Sequence, residues 1–340
     1  MTAAHPPIAK PATAPIHHGR ALPLRVGTRA SPLALVQTRA FLAQIAHFCP
    51  VLRHPFLGDT PIFQEHAIRT TGDAVQDRRL AEIGGKGLFA KEIHEALADG
   101  RIDFAVHSLK DLETVLPPGI VLACTLERED ARDALILAPG LGPADPADPW
   151  ACLPQGAVVG TSSVRRQAQM LHRRPDLRVG LLRGNVATRL ARIEAGDFAA
   201  TLLALSGLRR LGLDSRNTLV LEPSVMVPAA GQGIVGVTVR ESDTALRELL
   251  SGIEDPVARA VSTAERAMLR VLDGSCRTPI GGFARVLGDG QLHLTGLVAR
   301  EDGSFLRRGE RVGRPKEAQA LGEDLGRELR AASPADLFDS

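Results

Sequence analysis

The chain has 340 residues, enough for about two or three domains of ordinary size. Hydrophobic residues make up 44% and charged residues 24%, which excludes a disordered or fibrous protein, and no apolar run approaches the roughly 18–20 residues of a membrane helix. The net charge of +2 is uninformative, but its distribution is not: residues 160–216 hold eleven arginines, no lysine and four acids, so this stretch carries +7 against −5 for the rest.

Residues 1–22 are rich in Pro and Ala and lack the apolar core of a signal peptide, so they read as a disordered tail. A buried strand is expected at 24–28. Ser31 and Pro32 follow as N-cap and first residue of a helix reaching about His47. Prolines and a glycine make 49–61 a loop, and a strand follows near 63–69. Gly84, Gly85 and Gly87 break the chain around Lys86, without the spacing of a nucleotide phosphate loop. Phe89, Ile93, Ala96 and Leu97 mark one face of the next helix. Strands are expected at 103–108, 120–126 and 134–138, then a proline-rich loop at 139–154.

Strand and helix then alternate: 157–160, 162–173, 178–182, 185–195 and 199–205. That alternation predicts βαβ units on a mostly parallel sheet. A further buried strand is expected at 234–239 and an amphipathic helix at 257–272. Strands near 283–287, 291–299 and 304–312 form a meander, closed by a helix at 318–329. No fixed-period repeat is present.

Three strand-to-helix junctions share one chemistry: Thr28-Arg29-Ala30-Ser31, Gly160-Thr161-Ser162-Ser163-Val164-Arg165-Arg166, and Arg183-Gly184-Asn185 with Arg189 beyond. Hydroxyls and arginines at helix N-termini beyond strand ends make an anion cradle. The plainer reading is N-capping by Ser31 and Ser162 with solvated arginines, and three like junctions weigh against it. Lys110-Asp111 ends a fourth strand. It is either a surface ion pair or a lone carboxylate among cations, able to stabilise positive charge or move a proton. Aromatic content of 3% with no Tyr gives few platforms for nucleic-acid bases. The four cysteines have no metal-ligand spacing, and no metal is expected. Cys276, flanked by Gly274 and Arg277, is either an accessible thiol of lowered pKa or a small residue in a turn. Cys124, inside an apolar strand, reads as core.

Ten strings, in order, then identify a family. They are RVGTRASPLAL at 25–35, GGKGLFAKE at 84–92, AVHSLKD at 105–111, EREDARD at 127–133 and GTSSVRRQ at 160–167. LRGNVATRL at 182–190, GLRRLGL at 207–213, PAAGQG at 228–233, AERAM at 264–268 and GSCRTPIG at 274–281 complete the set. The chain resembles the porphobilinogen deaminases (hydroxymethylbilane synthases) over about residues 24–330. The resemblance implies an α/β protein of two periplasmic-binding-protein-like lobes plus a smaller α+β C-terminal domain. The implied lobes are 23–127 with 229–251, and 128–228, with the third domain at 252–335. It implies a transferase that joins four porphobilinogen units head to tail, releasing ammonia, to give a linear tetrapyrrole. The cysteine usage fits a reduced, cytoplasmic compartment, and a monomer is expected because no long apolar helix lacks a place within the chain.

The implied cofactor is a dipyrromethane primer, joined as a thioether to Cys276. Asp111 would be the catalytic carboxylate, stabilising the azafulvene left by ammonia loss and the positive charge that attack puts on pyrrole nitrogen. Arg29, Ser31, Lys86, Lys110, Ser163, Arg165, Arg166, Arg183, Gly184, Arg189, Arg210 and Gln232 match the family's ligands. Each pyrrole carries an acetate and a propionate, which suits an arginine-lined cleft. Arg165 and Arg166 would hold the primer, Arg183 and Arg189 would steer incoming units, and Gln232 would contact the pyrroles from the hinge. Glu82, where relatives can carry a base, and Leu112-Glu113, where a Pro commonly follows, depart from the pattern. The competing readings are a non-catalytic two-lobed anion binder, which would want an export signal and no special cysteine, and a cysteine-nucleophile enzyme, which would want a base near Cys276.

Overall fold

The computed structural model describes residues 16–17, 20–48, 61–75, 78, 87–216, 218–272 and 278–338. In chain order, β1 (Ile16–His17) and β2 (Arg20–Ala21) pair as a short hairpin. Leu22 behind them is buried, so the expected tail ends earlier than residue 22. β3 (Leu24–Arg29) leads into α1 (Pro32–Phe48). Ser31 Oγ accepts from the Ala34 N–H, and Pro32 starts the helix, as its missing N–H allows. Phe41 and Ile45, one turn apart, are fully buried, worth about 1.5–3 kcal/mol each.

β4 (Phe63–Ile68), the single turn α2 (Thr71–Ala74), α3 (Lys91–Ala98), β5 (Phe104–Ser108) and β6 (Ile120–Thr125) follow. The next region holds β7 (Asp133–Leu137), β8 (Val158–Gly160), α4 (Val164–Arg173), β9 (Arg178–Gly180), α5 (Val186–Glu194), β10 (Ala200–Ala204), α6 (Leu205–Arg210) and β11 (Leu219–Leu221). β12 (Val235–Arg240) and α7 (Thr244–Ser251) precede α8 (Pro256–Val271), β13 (Ile280–Val286), β14 (Leu292–Ala299), β15 (Leu306–Gly313) and α9 (Ala318–Ala331).

The strands make two five-stranded sheets, ordered β4-β3-β5-β12-β6 and β11-β7-β10-β8-β9, and an antiparallel three-stranded sheet, β13-β14-β15. The expected parallel run is present, β9, β8 and β10 pairing in parallel, and each large sheet carries one strand that runs against the other four. β12 runs antiparallel to both β5 and β6, and β7 runs antiparallel to both β10 and β11. β12 re-enters the first sheet after the chain has built the second, so it arrives from the opposite end; strand patterning carries no sign of direction. The chain therefore crosses between the sheets twice, after β6 and before β12. The proline-rich loop at 139–154 is packed, with Trp150 and Leu153 buried in the core of the second sheet.

The third sheet and its helices α8 and α9 share one core with Leu109, Leu112 and Ile234 of the first lobe. A smaller cluster joins Ala168 and Val227 to Leu297 and Ala299. At the double crossing, fully buried Glu265 of α8 accepts from Arg128 Nη1 at 2.6 Å, from Gly231 N at 2.6 Å and from Ala284 N at 2.6 Å. One carboxylate thus ties both crossing strands to the third sheet.

Candidate active site

The cleft is built where the strand ends of the two large sheets face each other. Arg29 stands at the end of β3. Lys110 and Asp111 stand on the one-turn 3-10 helix Leu109–Asp111 that ends β5, pinned by Leu109 N donating to Ile234 O at 2.9 Å. Arg29 Nη1 donates to Asp111 Oδ2 at 2.7 Å. Its other edge grips Asp73 of α2, through Nη2 at 2.5 Å and Nε at 3.3 Å, and its guanidinium lies 4.1 Å above the Phe89 ring. Burial opposes the Arg29 charge, but Asp111 and Asp73 outweigh it and hold its pKa above the ordinary value.

The opposite wall comes from the second lobe. The N-cap of α4 is Ser163, accepting from Arg166 N, rather than Ser162 as capping alone suggested; Thr161 Oγ1 takes up the Ser163 N–H. Arg165 and Arg166 are not the open ligands that the sequence led us to expect: they are only 5% and 6% exposed. Arg165 Nη2 and Arg166 Nη2 meet opposite oxygens of Asp133 at 2.8 and 2.7 Å, and their remaining Nη groups donate to Val227 O and Leu202 O. Asp133 lies on β7 and has no solvent access. Burial alone would raise its pKa, but the two guanidiniums drive it far below the carboxylate range. The knot keeps one positive charge in excess.

Gln232, fully buried at the crossing, donates to Asp133 Oδ1 at 2.8 Å and to Ala131 O at 2.6 Å, while its Oε1 faces Lys110 Nζ at 3.4 Å. Lys110 keeps contact with water yet is surrounded by cleft walls. That burial lowers its pKa to about 8, with Arg166 and Arg165 adding to the shift and Asp111 and Asp133 opposing it. Gly184, at φ 103°, turns the chain into α5, where Asn185 caps Thr188 N. Arg189 Nε donates to Gly184 O at 2.9 Å. Burial, then repulsion from Arg166 and Arg183, lowers the Arg189 pKa to about 10, against the pull of Asp111. Among the described residues no carboxylate lies within ion-pair distance of Lys110 or Arg189. Arg183 spans the cleft, donating to Gly72 O and Arg78 O of the first lobe at 2.9 Å each.

The remaining expected residues sort differently. Ser31 is occupied as a cap, and Arg210 Nη2 donates to Gly233 O at 2.7 Å, beside the crossing. Lys86, Cys276 and the variant position Glu82 lie outside the described residues. Glu113 turns inward, 3.5 Å from His94 Nδ1. Cys124 is buried, which pushes its thiol up to about 12 and leaves it inert. Sequence reasoning passed over Asp73 and Asp133, the two acids that organise the arginines. Asp133 stood inside a matching string, but nothing marked it as a partner of residues 32 and 33 positions on. No helix among the described residues is long and apolar enough to cross a membrane, and no group of three metal-ligating side chains occurs among them.

Two twice-connected α/β sheets, whose facing strand ends set one arginine-held carboxylate beside cations that have no acidic partner among the described residues, define a two-lobed protein with a cationic cleft. The sequence profile described as "Porphobilinogen deaminase, dipyromethane cofactor binding domain" matches residues 24–248, and the one described as "Porphobilinogen deaminase, C-terminal domain" matches 260–331. The chain belongs to the porphobilinogen deaminase family. It is 47% identical over 317 residues to the porphobilinogen deaminase of Paracoccus denitrificans, covering 93% of this chain and 96% of that protein. It is 43% identical over 320 residues to the chloroplastic porphobilinogen deaminase of rice, covering 93% and 86%. Among solved structures, a putative periplasmic sulfonate-binding protein from Methylobacillus flagellatus aligns with a TM-score of 0.39 and 12% identity, over 71% of this chain and 67% of that one. That likeness is too slight to add to the sheet order.

Proposed function

We propose that this cleft condenses four porphobilinogen units head to tail into the linear tetrapyrrole hydroxymethylbilane, with Asp111 as the catalytic carboxylate. The observation that carries the reading is Asp111 itself: half-buried, held through Oδ2 by Arg29, with no protein donor on Oδ1 among the described residues. When ammonia leaves the aminomethyl carbon, the C–N bond breaks and positive charge spreads onto the pyrrole nitrogen. A fixed carboxylate accepting that N–H stabilises the charge as it develops. The same oxygen is placed to take up the proton that the extended chain must lose.

The cleft also suits the family's dipyrromethane, which would be attached through Cys276 and, when bound, supplies the pyrrole end that the chain grows from. Its acetates and propionates require cations not already spent on acids. Lys110 and Arg189 are such cations, and the Arg165–Arg166–Asp133 knot adds its one excess charge at the floor. Arg183 and the Ser163 hydroxyl border the same space, and Gln232 holds Lys110 toward it. In this reading Arg165 and Arg166 act mainly as a charged floor, Arg210 steadies the crossing, and Ser31 sets the start of α1 behind Arg29. We further propose a monomer working in the cytoplasm.

The test is Asp111→Ala, assayed by porphobilinogen consumption and by porphyrin absorbance after oxidation. Loss of a charge-stabilising group at the reacting centre lowers turnover by about 10²–10³-fold or more. Turnover within about tenfold of the parent, in a folded variant, overturns the assignment.

A further inference from the structure

Arg29 does not belong to Asp111 alone. Its guanidinium has one face stacked on Phe89, one edge on Asp73, and only Nη1 left for Asp111. Asp73 is itself fixed: its Oδ2 accepts from Thr70 Oγ1 at 2.8 Å. The turn that carries it is held from three sides. Gly72 N donates to Leu88 O at 2.8 Å, Glu92 Oε1 accepts from Thr71 N at 2.9 Å, and Arg183 of the opposite lobe donates to Gly72 O at 2.9 Å. Gly72 leaves no slack, since a Cβ there would come within 2.3 Å of the Phe89 ring.

We propose that Asp73 is a positioning residue for the reaction: by occupying the Nε–Nη2 edge of Arg29 it limits that arginine to a single bond with Asp111, so that Asp111 keeps one oxygen and most of its negative charge for the substrate. The inference rests on Asp111 being the catalytic carboxylate. An arginine fork with nothing on its second edge rotates to grip a carboxylate with two parallel bonds. Without Asp73, the nearest such carboxylate is Asp111. Bidentate pairing would occupy both its oxygens and neutralise the charge that must face the pyrrole nitrogen. The charged groups acting on Asp111 are Arg29 from β3, Lys110 from its own turn and Arg189 from α5. Among the described residues, only Arg29 of these has its charge shared with a second carboxylate by direct contact, and that carboxylate is Asp73.

The test is Asp73→Asn in the primer-loaded protein, with Asp73→Glu and Asp111→Ala alongside. Asparagine keeps the size of the side chain and removes the charge. The expected result is a fall in kcat of about tenfold or more with KM for porphobilinogen changed by less than about threefold. Asp73→Glu restores part of the rate. Intact mass shows the same primer content as the parent, and the urea midpoint stays within about 0.5 M. Unchanged kcat in Asp73→Asn, or a loss of rate that tracks a lowered urea midpoint and is not restored by Asp73→Glu, overturns the proposal. The two readings fail separately: an active Asp111→Ala overturns the role of Asp111, whereas an inactive Asp111→Ala beside a fully active Asp73→Asn overturns only the role of Asp73.

Discussion

Asp133→Asn removes one negative charge from a place that water does not reach. Asp133 accepts from Arg165 at 2.8 Å, Arg166 at 2.7 Å and Gln232 at 2.8 Å. Asparagine preserves the volume and one acceptor, but it points two N–H donors at a guanidinium. Removing one partner of a buried ion pair costs about 3–5 kcal/mol. Two arginines lose their partner here, while their bonds to Val227 O and Leu202 O survive, so about 4 kcal/mol is expected. Set against a total stability of about 5–15 kcal/mol, that is a large share. At a urea slope of about 3 kcal/mol/M it lowers the unfolding midpoint by more than about 1 M.

The effect of pH has a definite sign. Asp133 has a folded-state pKa far below its unfolded one, because Arg165 and Arg166 outweigh burial. Its contribution is therefore complete above the unfolded aspartate value of about 4 and is lost as pH falls below it. The gap between parent and variant, followed by tryptophan fluorescence or circular dichroism in urea, should be full at about pH 7 and narrow by about pH 3. Midpoints within about 0.2 M of each other at neutral pH, or a gap that does not narrow in acid, would refute the electrostatic account of the knot.

Three further outcomes follow from the same geometry. Glu265→Ala strands the Arg128 guanidinium and leaves the N–H groups of Gly231 and Ala284 without acceptors; a loss of about 3–5 kcal/mol is expected in urea melts, and a loss below about 1 kcal/mol contradicts the tie. The surrounding cleft walls lower the Lys110 pKa to about 8 despite Asp111, although its side chain is exposed, so its charge fades as pH climbs through that value: KM for porphobilinogen should rise between about pH 7 and 9, and Lys110→Arg should flatten the rise; a flat parental KM removes Lys110 from substrate binding. Gly233 has φ 90°, and a Cβ there would sit 2.2 Å from Glu129 O; Gly233→Ala should cost more than about 2 kcal/mol, and a thermal midpoint equal to the parent's would show that the crossing yields.

Local chemistry made much of the architecture readable. Ser31-Pro32 announced α1, and the Gly-flanked strand ends announced the junctions from which Arg29, Arg183 and Arg189 reach the cleft. Short helices escaped notice: α6 contains Gly207 and has no side-chain cap, and α7 spans only eight residues. β13 starts at Ile280, three residues before the expected 283; Gly281 and Gly282 are small because Val227 and Met268 press against them. The ligands of the arginines were hidden for a different reason. Asp73 meets Arg29 across 44 positions of chain, and Asp133 meets Arg165 across 32. Residue type shows that an arginine will seek an anion, but only the closed fold decides whether that anion is a substrate or a neighbour.

The contact of Glu265 with both crossing strands bears on how the enzyme handles a product that lengthens four times. A trap that shuts like a clam needs a pivot free to swing, and here the pivot is a keystone wedged between three parts of the chain. Swinging it would pull a carboxylate and a guanidinium apart in a dry interior. Both crossings are therefore braced against such a swing.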